Sequence, residues 1–276
     1  MVTLSSQSIC AVNLHWGTRF KIYAFADGLD SGLRSVFRDA ESLLAGAELI
    51  KNSRSTAAGI FVLNGKKYFI KRSNVKGFSG SLRRLFRMSR AQRNFLAAEK
   101  LQLLNIRTPQ VYMALTTSPF GLPGAGYLIT ESFPAPMHLT GRLKEVLESG
   151  LNLDDLIAEL TRMLWRLHEA GMVHGDAKTS NILAVCEAGK WQFGLFDLDS
   201  MLWNCRSIYR FRAEMARLAS SIYIALKEKN LADSISYECI GTAVAGAYSA
   251  AGGKDFSGDK RYWRRIREFL LSAKVI

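Results

Sequence analysis

The chain has 276 residues, with 37 Lys and Arg against 24 Asp and Glu, and a net charge of +13. Hydrophobic residues make up 48%, which excludes a disordered chain, and five prolines with 22 glycines exclude collagen-like and Pro-rich architectures. Four dispersed cysteines (Cys10, Cys186, Cys205, Cys239) form no C-x-x-C pair, which argues against a zinc knuckle or disulfide scaffold and for a reducing compartment.

The first 18 residues carry no Lys or Arg, and Asn13 and His15 interrupt the apolar stretch, so no signal peptide is expected. Residues 8–26 are weakly strand-like. Asp30–Ala45 reads as one helix, with Leu33, Val36, Phe37, Ala40, Leu43 and Leu44 on one face. Gly59–Leu63, the dipeptide Asn64-Gly65 and Tyr68–Ile70 carry a hairpin signal. Ser89 can cap a helix running to about Leu104, and Tyr127–Thr130 is a short buried strand. Pro134 and Pro136 mark a hinge.

From about Arg142 the pattern turns helical. Leu153, Leu156, Ile157, Leu160, Leu164 and Leu167 recur at helical spacing, and Gly171 can end that helix. Short strands are expected at Ile182–Val185 and Gln192–Phe196, and mostly helix from Ser207. Ile240–Ala251 is too short for a membrane span and reads as a packed helix. The whole is α+β: a β-rich lobe with an N-terminal extension over residues 1–132, and a helical catalytic lobe over 133–276.

The charge is localised. Leu49–Thr130 holds 14 basic residues and one acid, Glu99, so that stretch alone carries +13. Such a segment points to an anionic partner: phosphates, anionic lipid, an acidic protein or, on charge alone, nucleic acid. Arg83, Arg84, Arg87, Arg90 and Arg93 recur at mostly three- and four-residue steps beside Leu82, Leu85 and Phe86, the pattern of a basic amphipathic helix suited to a membrane surface. Arg261–Leu270 reads as a final helix packed through Tyr262, Ile266, Phe269 and Leu270.

The chemistry is carried by His174-Gly-Asp-Ala-Lys-Thr-Ser-Asn-Ile-Leu183 and by Phe196-Asp-Leu-Asp199. Phosphoryl transfer needs a carboxylate that orients the attacking hydroxyl, and oxygen ligands for the metal ions that neutralise the phosphates. Asp176 and Asn181 stand five apart, the spacing of the catalytic Asp and metal-binding Asn in H-R-D-x-x-x-x-N. Lys178 can reach the transferred phosphoryl group. Asp197 follows a strand pair, where a second metal carboxylate belongs, and Asp199 brings another. His174 is expected to orient this loop. His138 and His168 are expected to serve packing or solvation, and Trp165, Trp191 and Trp203 the core.

These motifs resemble the catalytic and metal loops of the protein-kinase-like fold. The resemblance implies ATP and Mg²⁺ as cofactors and two further residues upstream. Tyr68-Phe-Ile-Lys71 looks like the strand Lys of V-A-I-K, and Glu99 lies on the helix that would pair with it. Lys51–Gly59 occupies the place of the phosphate-covering loop without its glycines; backbone N–H groups with Ser53 and Ser55 would serve there. Glu131–Phe133 would be the adenine hinge. Gly175 replaces the Arg of H-R-D, and the absence of A-P-E leaves little room for a docked peptide.

H-G-D with a short activation segment is shared by aminoglycoside and choline kinases, small atypical protein kinases and bacterial lipopolysaccharide core kinases. Ser53-Arg-Ser55 before a hairpin ending in Ile-Lys-Arg, the Arg-rich insertion, D-L-D and the length look most like the last group. That resemblance, over roughly residues 50–220, implies phosphorylation of a core heptose or Kdo at the cytoplasmic face of the inner membrane of a Gram-negative bacterium. The alternatives are an atypical protein kinase, a small-molecule kinase or a pseudokinase scaffold that recruits an acidic partner. A nucleic-acid binder ranks below them.

Overall fold

The computed structural model describes residues 9–12, 19–74, 89–119, 124–133, 137–232 and 235–276. Pro134 and Pro136, and the Arg-rich stretch from Leu82 to Arg87, lie outside the described residues. The chain divides into two compact units, Met1–Lys100 with Pro109–Phe133, and Leu101–Thr108 with Pro134–Ile276. The first is built on a sheet and the second mainly on helices.

The sheet contains β1 (Ile9–Val12), β2 (Arg19–Phe25), β3 (Glu48–Asn52), β4 (Thr56–Leu63), β5 (Lys66–Ser73), β6 (Val111–Pro119) and β7 (Gly126–Glu131), in the order β1-β2-β6-β7-β5-β4-β3. All pairings are antiparallel. The β4–β5 turn has Asn64 at φ 51° and Gly65 at φ 74°. Two left-handed residues give the backbone twist that a two-residue hairpin needs, which is why Asn-Gly marked it. The weak strand signal near the N-terminus is β1 and β2, which extend the sheet beyond β6.

The single helix expected over Asp30–Ala45 is two short ones, α1 (Ser31–Phe37) and α2 (Ala40–Ala45). Asp30 caps the first by accepting from Gly32 N (2.7 Å). Asp39 then caps the second through Ser42 N (3.4 Å). An Asp side chain that bonds backbone N–H groups ahead of it favours a helix start over a helix interior. The apolar period ran through the break because Phe37, Ala40 and Leu44 all enter one core.

That core lies on one face of the sheet. Tyr68 and Ile70, Met113 and Leu115, and Tyr127 and Ile129 contribute at two-residue steps. Phe37 meets Tyr68 edge-on with centroids 5.3 Å apart, and Phe61 stacks on Tyr68 at 5.3 Å. Burial pushes the Tyr127 hydroxyl up to about 12, helped by its hydrogen bond to Glu41 (2.9 Å). Lys71 follows Ile70 and so lies on the opposite face, paired in register with Leu128 and Ala58. The next helix, α3 (Arg90–Leu103), opens on a reciprocal cap. Gln92 N donates to Ser89 Oγ (3.1 Å), and Ser89 N donates to Gln92 Oε1 (3.2 Å).

The second unit contains α4 (Leu139–Glu148), α5 (Leu153–Glu169), the hairpin β8 (Ile182–Glu187) and β9 (Lys190–Leu195), α6 (Ile208–Glu228), α7 (Tyr237–Ala250) and α8 (Lys260–Ser272). Asn152 caps α5 at Asp155 N (2.8 Å). Gly171 ends it at φ 72°, as Met172 N bonds back to Leu167 O (3.0 Å). His138 has a definite task, capping α4 by accepting from Gly141 N (3.0 Å). α7 is the packed Gly/Ala-rich helix, and α8 buries Tyr262, Ile266 and Leu270 as its pattern indicated. Trp165, Trp191 and Trp203 are partly exposed, not fully buried core residues. Trp191, for one, keeps its indole N–H on Ser149 Oγ (2.7 Å). Among the described residues no helix is long and apolar enough to cross a membrane.

Candidate active site

The second unit assembles most of the proposed machinery on two adjoining segments, Val173–Asn181 and Phe196–Leu202. Val173 and Leu202 exchange backbone hydrogen bonds (3.0 and 2.8 Å), and Phe196 N donates to Asn181 O (3.2 Å). His174, with no exposed surface, donates from Nε2 to Phe196 O (3.0 Å). Its Nδ1 accepts from Asp176 N (3.3 Å), which fixes the tautomer. His174 therefore orients the loop and has no free nitrogen for proton transfer.

Gly175 shows why this loop carries H-G-D. Its φ is +82°, and a Cβ there would stand 2.6 Å from Ser200 O. A side chain would push the two segments apart.

The Asp176 carboxylate gathers three side chains. Asn181 Nδ2 donates to Oδ2 (2.9 Å) and to the Asp176 backbone oxygen (2.9 Å). Lys178 Nζ lies 3.2 Å from Oδ2. Arg217 Nε, from α6, lies 3.4 Å from Oδ1. Because the Asn181 amide nitrogen faces Asp176, its carbonyl oxygen is left for a hard cation. Ile182 pairs with Leu195, so Asn181 and the Phe196–Asp197 step leave the same end of the β8–β9 hairpin. Asp197 has φ +56° and ψ +58°, a left-handed conformation costly for a side-chain-bearing residue and typical of functional turns. Asp199 sits in the short turn Leu198–Ser200. The oxygens of Asn181, Asp197 and Asp199 are the donor chemistry that Mg²⁺ requires.

Beneath this loop is a buried network that the sequence reading missed. Glu214 of α6 accepts from Gly175 N (2.6 Å) and His174 N (3.3 Å). His168 of α5 donates from Nε2 to Glu214 Oε2 (2.7 Å), and its Nδ1 shares a hydrogen with the Tyr248 hydroxyl of α7 (2.7 Å). Burial pushes the Glu214 carboxyl up, but the His168 hydrogen bond and charge, His174 and the Gly175 N–H outweigh it and hold the carboxyl below its ordinary range. His168 is thus a buried network member and not a solvated side chain. An acid at 214 on the apolar face set by Phe211, Met215 and Leu218 was the available signal.

In the first unit, Lys71 stands mid-strand on β5, and Glu99 is part-buried on α3. Burial, then the Asp27 carboxylate, pushes the Glu99 carboxyl up. The charged neighbour that acts on Glu99 is Asp27. Of Lys51–Gly59 only residues 53–55 are loop; the rest is strand. Ser53 closes that turn on Thr56, with N–O and Oγ–O bonds of 2.8 and 3.0 Å. The Ser55 hydroxyl lies 3.5 Å from that of Ser53. Glu131 ends β7, where its carboxylate accepts from Gln110 N (3.3 Å), and Phe133 follows two residues later.

A family model described as the lipopolysaccharide kinase (Kdo/WaaP) family matches residues 36–236. A solved structure, WaaP in complex with acyl carrier protein, is similar at 13% identity with a TM-score of 0.62, covering 90% of this chain and 98% of that one. At that identity the likeness establishes the fold. Matching solved chains number 1360, so the fold alone selects no acceptor. No curated protein sequence matches the chain.

Proposed function

The chain belongs to the lipopolysaccharide kinase (Kdo/WaaP) family, and from that premise we propose that it phosphorylates a heptose or Kdo hydroxyl of the inner core, with Asp176 as the catalytic carboxylate. The observation that carries this reading is the set of three side chains around that carboxylate: Asn181, Lys178 and Arg217.

The kinase family implies ATP as donor. Asp176 orients the acceptor hydroxyl and takes its proton. The hydroxyl oxygen bonds to the γ-phosphorus as the bond to the β–γ bridging oxygen breaks and ADP departs. Lys178 offsets the charge on the transferred group. Asn181, Asp197 and Asp199 would hold Mg²⁺, which supplies charge neutralisation on the phosphates when bound. Lys71 would hold the α- and β-phosphates, with Glu99 as its anchor. The Ser53–Ser55 turn would cover the phosphates, and Glu131–Phe133 would border the adenine.

The basic stretch supports a partner of opposite charge, whether the anionic inner-membrane face or a protein such as the carrier protein bound in the similar structure.

Purified protein incubated with Mg²⁺-ATP and dephosphorylated lipopolysaccharide core tests the reading, with Asp176→Ala as control. A phosphate mass gain with wild type alone supports it, and loss of the base is expected to cost at least about 10²-fold. Label appearing on a protein instead would establish the atypical protein-kinase alternative.

A further inference from the structure

Beside Lys178 and Arg217, which both reach Asp176, the second unit contains a cavity of about 270 Å³ to which the reading above assigns no ligand. α4, the Lys178–Ser180 segment, α6 and α8 line it, and its charged members are Lys178, Arg217 and Glu228. That volume falls just below the range of pockets for drug-sized ligands, which suits one sugar ring.

Arg217 is its most informative member. Nε faces Asp176 at 3.4 Å, and the guanidinium lies over the Phe269 ring at 4.2 Å. Neither Nη has a hydrogen-bond partner among the described residues. The fork is therefore held at one edge and stacked on one face, while its two terminal nitrogens remain for a ligand. A planar fork with two parallel N–H groups matches a carboxylate or a phosphate. A neutral sugar would leave that edge without an anion.

We propose that this cavity is the acceptor subsite and that Arg217 binds an anionic group on the acceptor sugar, with Phe269 holding the guanidinium in place. The inference rests on the kinase reading above and narrows its substrate to an acidic sugar or one already bearing a phosphate. The contact with Asp176 has a second consequence. The residue that holds the acceptor anion also touches the carboxylate that takes the acceptor proton, so binding aligns the hydroxyl with its base.

The test uses the full-length protein, Mg²⁺-ATP and three core acceptors: one with its Kdo carboxylates intact and no phosphate, one with those carboxylates amidated, and one amidated but carrying a phosphate on a neighbouring sugar. For wild type, amidation is expected to raise KM about tenfold or more, the size of a lost charge-assisted hydrogen bond. Arg217→Gln should raise KM for the carboxylate acceptor by as much, leave the affinity for ATP unchanged and no longer discriminate against the amidated acceptor. Arg217→Lys, which keeps the charge without the fork, should fall between. Ser272→Trp places bulk at an exposed position of the lining, so it should raise the acceptor KM without disturbing the fold. If phosphate and not carboxylate is the anion, only the phosphorylated acceptor restores a low wild-type KM. Transfer by wild type with equal KM for all three acceptors, or with Arg217→Gln unchanged, overturns the subsite and leaves the kinase reading standing. No transfer by wild type to any acceptor overturns both.

Discussion

Gly175 is the residue at which this loop can least tolerate a side chain. Two costs add on substitution. The left-handed conformation costs an L-residue about 1–2 kcal/mol. The new Cβ also meets the Ser200 carbonyl at 2.6 Å, and backbone on both sides gives little. Gly175→Ala is therefore expected to lower stability by at least the first amount in urea unfolding, and to displace Asp176. A shift of the proposed base on the ångström scale costs about 10²-fold in turnover, so kcat should fall while the affinity for ATP holds.

Glu99 gives the opposite pairing of stability and activity. Its carboxyl is raised from the ordinary value of 4.5 by burial and then by Asp27. The folded state thus holds the proton more tightly than the unfolded chain. The stabilising contribution is present below the unfolded value and is lost as pH rises through the raised one. Wherever it is ionised, the carboxylate is a burden on the nucleotide-free protein. Glu99→Gln should then raise the thermal midpoint near neutrality, flatten its decline from acid to neutral pH and reduce turnover. A midpoint that falls would refute the electrostatic account.

At the scale of elements, α6 does the most for the candidate site, because it carries both Glu214 and Arg217 to the His174–Asn181 loop. The two stand three apart, one buried beneath the loop and one part-exposed beside Asp176. Glu214 has the reverse sign to Glu99. Its folded-state value is depressed below 4.5, so its stabilisation is present above that pH and is lost as pH falls through the depressed value. Wild type should lose stability steeply in acid, and Glu214→Gln should show a shallower acid limb. The variant should also have a lower midpoint at neutral pH and a lower kcat, since the His174 and Gly175 N–H groups lose their charged acceptor. At α3 the expectation is purely structural: Ser89→Ala removes half of the reciprocal cap and should cost about 1 kcal/mol.

Across the whole molecule, what the sequence revealed depended on how local the cause was. The Asn64-Gly65 hairpin, the Ser89 cap and the Gly171 helix end were readable because their physics acts within four residues. The spacing of Asp176, Lys178 and Asn181 was readable for the same reason: one loop carries all three. Glu214 and Arg217 come from a helix roughly forty residues later, and local spacing cannot announce a contact closed by tertiary packing. The break at Asp39 was hidden because the apolar period continued across it.

Charge is the one molecular-scale property that the composition states outright. Leu49–Thr130 carries the entire net charge of +13, and its described members include the exposed side chains of Lys51 on β3 and Lys67 on β5. Basic side chains near an anionic lipid surface each contribute about 1 kcal/mol, and the attraction decays within a Debye length. If the stretch meets such a surface, vesicles containing anionic lipid should sediment the protein at low salt and release it as ionic strength rises toward about 0.5 M, where screening is nearly complete. Neutral vesicles should not bind it. Lys51→Glu with Lys67→Glu should weaken vesicle binding by more than tenfold at low salt, because each reversal removes one attraction and adds one repulsion. Lys67→Glu alone should phosphorylate a detergent-solubilised acceptor as fast as wild type, since Lys67 lies outside the Lys51–Gly59 segment assigned to the phosphates. Equal loss on vesicles and in detergent would instead place that lysine in the service of nucleotide or acceptor binding.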